Sequence, residues 1–170
     1  MADLTKNMNF LQPTGFKVVI DRKNYPNLEY FVQSTNLPGV SSPSVEIGYP
    51  RANIHMTGGQ LDYDEITMDI ILDENMDAYT EMYSWMERNA ETKQSTLISD
   101  IGKYNTNADA STSSDITLLV LSSHNNKTKK ISYRDCIPVQ LGAVQLMSNV
   151  ADVQYIVLPV TFSFTYFEIL

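Results

Sequence analysis

The most constraining feature of this chain is the alternation in its last stretch, PVTFSFTYFEIL, from Pro159 to Leu170. Val160, Phe162, Phe164 and Tyr166 fall at every second position, as in a strand that buries one face. Thr161, Ser163 and Thr165 occupy the other face: small, polar and uncharged. Strands that face water usually collect Lys and Glu, which also protect open sheet edges. A hydroxyl face without charge raises the question of what it looks at.

The same period recurs upstream. Ile66, Met68, Ile70 and Leu72 alternate around Thr67, Asp69 and Ile71, which predicts a half-buried strand. Further strand signals cover Phe16–Ile20, Tyr30–Thr35, Val45–Gly48, Ala52–Met56, Ile116–Ser122, Lys129–Tyr133, Leu141–Met147 and Val153–Ile169. Pro38–Gly39 and Pro43 fix a loop, Gly58–Gly59 reads as a turn, and HNNKTKK reads as a hairpin tip. One helix is expected after Asp73 or Asn75 as cap. Glu74 and Asp77 sit in its first turn and Arg88 in its last, and Tyr79, Met82, Tyr83 and Met86, widened by Trp85, form its apolar stripe. Such a stripe packs on a sheet. Residues 1–13 read as a loose polar arm, and 89–114 as a long polar loop within a single domain spanning 14–170. With no βαβ alternation, the expected fold is mainly β (α+β), of barrel or sandwich type with one flanking helix.

Composition narrows the function. The 170 residues suffice for one domain with a real core. A net charge of −8 argues against a nucleic-acid grip, which needs clustered Lys and Arg. The single Cys136 excludes an internal disulfide framework and a multi-cysteine metal site, and is expected to be reduced and half-buried. No apolar run is long enough to span a bilayer, and MADLTKNMNFLQP lacks the pattern of a signal peptide.

Enzyme motifs are weak. His55 and His124 suggest no triad with an Asp and a Ser. The acidic run Asp62, Asp64 and Glu65 lacks the alternating ladder of a calcium loop. Gly58–Gly59–Gln60 spells the tripeptide of peptide-release factors, but two glycines joining strands are ordinary turn chemistry. Asn126–Lys127–Thr128 matches a glycosylation sequon, which has meaning only on a secretory route. No catalytic residue, metal site or cofactor is expected.

Several stretches in succession resemble the tail tube proteins of contractile-tailed bacteriophages. FKVVID and YFVQSTNLPGV give a strand running into a Leu-Pro-Gly corner. VEIGYPRANIHMTGGQLDYDEITMDIILDE is similar to the family's long hairpin, and DAYTEMYSWM to its Trp-bearing helix. ISYRDCIPVQLGAVQL and VQYIVLPVTFSFTYFEI resemble its closing strands, while 89–114 shows no likeness.

The resemblance implies a small two-sheet β-barrel-like domain with a flanking helix and an extended hairpin. Six copies would form a ring, and rings would stack into a hollow tube with no chemistry of its own. The implied partners are further copies, the tail sheath, the tape-measure protein, the baseplate and the tail terminator. Viral DNA would pass without specific binding, and the protein would reside in the virion tail after assembly in the host cytoplasm, without stable membrane insertion. Inner-tube proteins of bacterial contractile injection systems and tube-initiating baseplate proteins are related alternatives; a soluble enzyme is the less favoured one.

On this reading, the interface candidates are Tyr49, Arg51, Ile54, Met56, Thr57, Gly58, Gly59, Gln60, Leu61 and Tyr63, with a hairpin tip at Thr57–Gly59. Thr161, Ser163 and Thr165 would form either a subunit seam or the channel wall. A conduit for DNA is expected to carry more Asp and Glu than Lys and Arg along its bore, since cations would hold every passing phosphate.

Overall fold

A computed structural model describes residues 10–21, 24, 25, 28, 32–48, 50, 52–91, 113–149 and 155–170. Eleven strands and one helix lie among them. The strands are β1 (Phe16–Val19), β2 (Val32–Thr35), β3 (Val40–Ser41), β4 (Ser44–Gly48), β5 (Asn53–Thr57), β6 (Asp62–Tyr63), β7 (Ile66–Ile71), β8 (Ser114–Leu121), β9 (Lys127–Leu141), β10 (Val157–Ser163) and β11 (Tyr166–Ile169). The helix α1 spans Asp77–Glu91. The chain is thus mainly β with one described helix, as the alternation predicts.

Seven strands form an antiparallel path, β1-β8-β9-β10-β7-β2, with β11 added beside β9. The fifteen-residue β9 organises it. Its first part, to Cys136, pairs with β8, while Ile131–Arg134 also pair with β11 and Ile137–Leu141 pair with β10. Two sheets therefore share one strand, β1-β8-β9-β11 and β9-β10-β7-β2. Among the described strands the path does not close, and β1 and β2 are its two ends.

The change of sheet occurs at a bulge. Asp135 has φ of 54°, and β8 skips from Ser114 opposite Cys136 to Ile116 opposite Tyr133. An extra residue there flips the inward phase: Ile131 and Tyr133 are buried before it, Cys136 and Pro138 after it. Asp115 spans the bulge, accepting from the Asp135 backbone N–H at 3.2 Å and from the Arg134 guanidinium. That hydrogen bond and the nearby Glu168 favour the charged form of Arg134.

The two sheets enclose one core. Leu158, Val160 and Phe162 of β10 face inward beside Ile70, Met68 and Ile66 of β7. The helix closes one side with Ala78, Met82 and Trp85, spaced i, i+4, i+7. Trp85 stacks on Tyr25 at 4.5 Å between centroids and touches Phe162 at 5.7 Å. Arg88 donates to the Tyr25 hydroxyl and lies over its ring. Asp73 caps the helix, its Oδ1 accepting from the Asp77 N–H at 3.0 Å.

Several sequence expectations are corrected. Lys129–Tyr133 is the middle of a strand that continues to Leu141, and the expected strand at Leu141–Met147 ends at its first residue. Gly142 then donates to the Pro159 carbonyl at 2.8 Å, and a Cβ at this glycine would overlap the Pro159 ring. The expected single strand Val153–Ile169 breaks at Phe164–Thr165, where the Thr165 N–H turns to the Arg134 carbonyl. The break reverses the phase, so Phe167 packs against the core and Tyr166 is exposed. On the helix, Tyr83 faces water although its spacing placed it on the buried stripe.

Candidate functional site: an amphipathic arm and a neutral sheet face

Residues between Gly39 and Asp64 leave the body as a two-stranded arm. Its stem pairs Val40 with Tyr63 and Ser41 with Asp62, extended by the Asp64 N–H donating to the Gly39 carbonyl. Beyond a kink at Pro43, β4 and β5 pair from Ser44 opposite Thr57 to Gly48 opposite Asn53. The chain therefore reverses between Gly48 and Asn53, and the expectation of a tip at Thr57–Gly59 is corrected. Those residues lie at the foot of the hairpin, where Gly58 donates to the Pro43 carbonyl at 2.7 Å. A Cβ at Gly58 would collide with that carbonyl oxygen, so the glycine serves close backbone approach instead of a reversal of the chain.

Directly opposed residues in an antiparallel ladder share a face. Val45 opposes Met56 and Ile47 opposes Ile54, so four apolar side chains make one face of the arm. Ser44, Glu46, Asn53, His55 and Thr57 make the other, where Glu46 meets His55 at 3.5 Å and accepts from Asn53. Every residue of β4 and β5 is exposed, and the four apolar side chains remain 43–57% accessible. An isolated hairpin is at best marginally stable in water. An apolar row left open on such a hairpin is a surface awaiting cover.

The arm is anchored at its stem. Tyr63 is half-buried, its ring 5.7 Å from Phe164 and 5.4 Å from Phe167. Those rings pack in turn on Tyr133, whose buried hydroxyl has no hydrogen-bond partner among the described residues and whose pKa burial pushes up to about 12.

Of the residues singled out from the sequence, Ile54 and Met56 lie on the apolar face, Thr57, Gly58 and Gly59 at its foot, and Gln60 and Leu61 on the exposed run into the stem. Tyr63 is the anchor. Tyr49 and Arg51 fall outside the described residues, as do 1–9 and 92–112 of the expected arm and loop. Sequence reasoning took the hairpin from Val45 to Leu72 as a contact element but did not single out Val45 and Ile47. Their V-x-I spacing mirrors the I-x-M of 54–56, and reflecting one on the other about 49–52 would have paired them.

Thr161 and Ser163 project from the outer face of β10, which is paired on both sides. They lie on a sheet face, therefore, while the open edges belong to β1, β2 and β11. Thr161 sits opposite Thr67, and Asp69 accepts from Ser34 at 2.6 Å; Thr165 is exposed at the strand break. In β2, β7, β10 and residues 136–141 there is no Lys or Arg, and Asp69 is the only charge. Among the described strands the cations lie in the other sheet: Lys17, Lys127, Lys129, Lys130 and Arg134.

Cys136 is fully buried, and desolvation pushes its thiol up to about 12 despite a backbone hydrogen bond with Ile116. Among the described residues, no three His, Cys, Asp or Glu side chains converge as a metal site. No described helix is long and apolar enough to cross a membrane.

Comparison with known proteins agrees with this geometry. No curated protein matches the chain. Among solved structures, the fold is similar to a chain of an extracellular contractile injection system, in the PVC sheath-tube complex in its extended state. There the TM-score is 0.67 at 13% identity, covering 96% of this chain and 93% of that one. It is also similar to a chain in the tube-terminating cap of the anti-feeding prophage, with TM-score 0.66, 13% identity, and 100% and 99% covered. A third likeness is to a chain of the PVC sheath/tube terminator, at TM-score 0.61, 12% identity, and 96% and 99% covered. The family model described as phage tail tube protein matches residues 3–170. With its exposed apolar arm and two-sheet body, this chain is a structural protein belonging to the phage tail tube protein family.

Proposed function

We propose that copies of this chain form six-membered rings that stack into the hollow tube of a contractile phage tail, the conduit through which the genome leaves. The observation that carries this reading is the arm. Its apolar face stays exposed among the described residues of its own chain, and a second copy offers the missing surface. Fully burying a Val, Ile or Met side chain gives about 1.5–3 kcal/mol, so completing these half-covered ones gives roughly 1 kcal/mol each. Single contacts stay weak, while six per ring make a stack stable. Ring stacking needs a heterologous contact, since a self-complementary one closes into dimers. An arm reaching a different surface of the next copy meets that need.

The neutral face of β9-β10-β7-β2 is assigned to the bore, with Thr161 and Ser163 as part of its wall. A wall without Lys or Arg gives a polyanion nothing to bind, and its single Asp69 repels only within the screening length of about 8–10 Å. The charge-free edge strand β2 offers backbone groups to a neighbour in the ring. Sheath, baseplate, terminator and tape-measure protein are the remaining partners in this assembly.

Electron microscopy of the purified protein tests the proposal. Rings or filaments with an axial hole are expected. Dispersed single particles that stay dispersed when seeded with tail baseplates would overturn it.

A further inference from the structure

The stem of the arm continues the β2–β7 ladder. Thr35 opposes Met68, and five residues further along each strand Val40 opposes Tyr63, so the register runs unbroken from the body into the stem. The hydrogen bonds do not. Among the described residues, no backbone bond joins Leu37 or Pro38 to Glu65 or Ile66, and Pro38 has no N–H to give. Backbone pairing resumes at Gly39, whose carbonyl accepts from the Asp64 N–H at 3.0 Å. Two residues on each limb therefore lie side by side without ladder bonds, at the place where the arm leaves the body.

Asn36 spans this gap with its side chain. Its backbone N–H donates to the Thr67 carbonyl at 3.2 Å, while the return bond from the Thr67 N–H goes to the side-chain Oδ1 at 2.6 Å. In a regular antiparallel ladder the backbone carbonyl of the opposed residue takes that bond. The amide thus stands in for a main-chain group, as Asn does in turns, and the chain is released into the Leu37–Pro38 corner. The same side chain reaches across the gap, its Nδ2 donating to the Glu65 carbonyl at 3.4 Å. One exposed amide ties the outgoing limb to two points on the returning one.

Tyr63 fixes the stem at another place, in the aromatic cluster with Phe164 and Phe167. A projection held at one place swings about it, and a second sets its direction. We propose that Asn36 is that second hold, a positioning residue that latches the stem in line with the β2–β7 ladder and so sets the angle at which the arm leaves the body. The core does not lean on this side chain, which is exposed and bonds to backbone groups at the arm's base. What depends on it is the fraction of copies whose arm points where a second copy can receive it, and the apparent affinity between copies falls with that fraction. This inference rests on the tube reading above and adds to it the residue that aims the arm.

The test is the distance distribution between spin labels on the arm and the body of the dispersed protein, at Asn53→Cys near the reversal and Lys129→Cys in β9. Cys136 is buried and stays unlabelled. With Asn36 in place one narrow distance is expected. Asn36→Ala should broaden it severalfold, and the Thr67 amide should exchange roughly tenfold faster. Asn36→Asp keeps an acceptor for that amide, so it should restore the protection and narrow the distance again. Light scattering at equal concentration should show Asn36→Ala assembling more slowly than wild type. A lower unfolding midpoint with the distance still narrow would give Asn36 a role in stability alone and overturn the proposal. An unchanged assembly rate despite a broad distribution would overturn it equally. The distance measurement needs no assembly, so its failure leaves the tube reading standing, whereas wild-type protein that never assembles would remove that reading.

Discussion

Cys136 shows how position decides the chemistry of one residue. Its sulfur lies just past the bulge of β9, fully buried, and desolvation holds the thiol neutral with its pKa up at about 12. An unfolded cysteine ionises near 8.5–9 and Tyr133, also raised to about 12, near 10. The folded state therefore keeps protons that the unfolded state releases. The stability these groups provide is complete below about pH 9 and is lost as pH rises toward 12. The melting temperature of the dispersed protein should fall steeply above pH 9, and Cys136→Ala should make that fall shallower. A thiol reagent at pH 8 should titrate no cysteine until denaturant is added. Prompt reaction in the folded protein would contradict the burial.

Elements were legible where one rule acted alone. Ile66–Ile71 shows period two because one face packs and the other does not, and Asp73 to Arg88 carries the cap and charges of an isolated helix. Elements were misread where long-range pairing overrode a local signal. The bulge at Asp135 and Pro138 within β9 both mark strand ends locally. Partners on either side hold the strand through them, and the register shift at Thr161–Phe162 lies opposite Pro138. The glycine pair 58–59 misled for a similar reason. Gly58 serves close approach to Pro43, a Cβ at Gly59 would meet nothing, and the chain reverses between Gly48 and Asn53.

The arm's root was invisible in sequence because Tyr63, Phe164 and Phe167 meet only through the fold. Tyr63→Ala removes two ring contacts from a half-buried side chain and should cost about 1–2 kcal/mol in denaturant unfolding. An unchanged midpoint would show that the aromatic cluster does not hold the arm.

At the scale of the whole molecule, the charge-poor composition becomes an arrangement. Lys17, Lys127, Lys129, Lys130 and Arg134 lie on one sheet, and the strands of the other present hydroxyls, apolar groups and Asp69. If that second face lines the bore, Ser163→Lys should assemble normally yet retain DNA in the tube at low salt, measured by co-sedimentation. Tubes carrying this variant that hold no more DNA than wild type would place the face elsewhere, and failure to assemble would place it at a subunit contact. The described residues of the two sheets and the helix form one core within a single chain; what they leave open is the arm.

Hydrogen exchange across residues 44–57, before and after assembly, tests that claim most directly. The amides of an open two-stranded hairpin should exchange fast in the dispersed protein, well ahead of those in β7 and β10. They should become strongly protected once copies associate. Arm amides that exchange equally fast in both states would contradict the account, since the apolar face would then gain no cover from another copy.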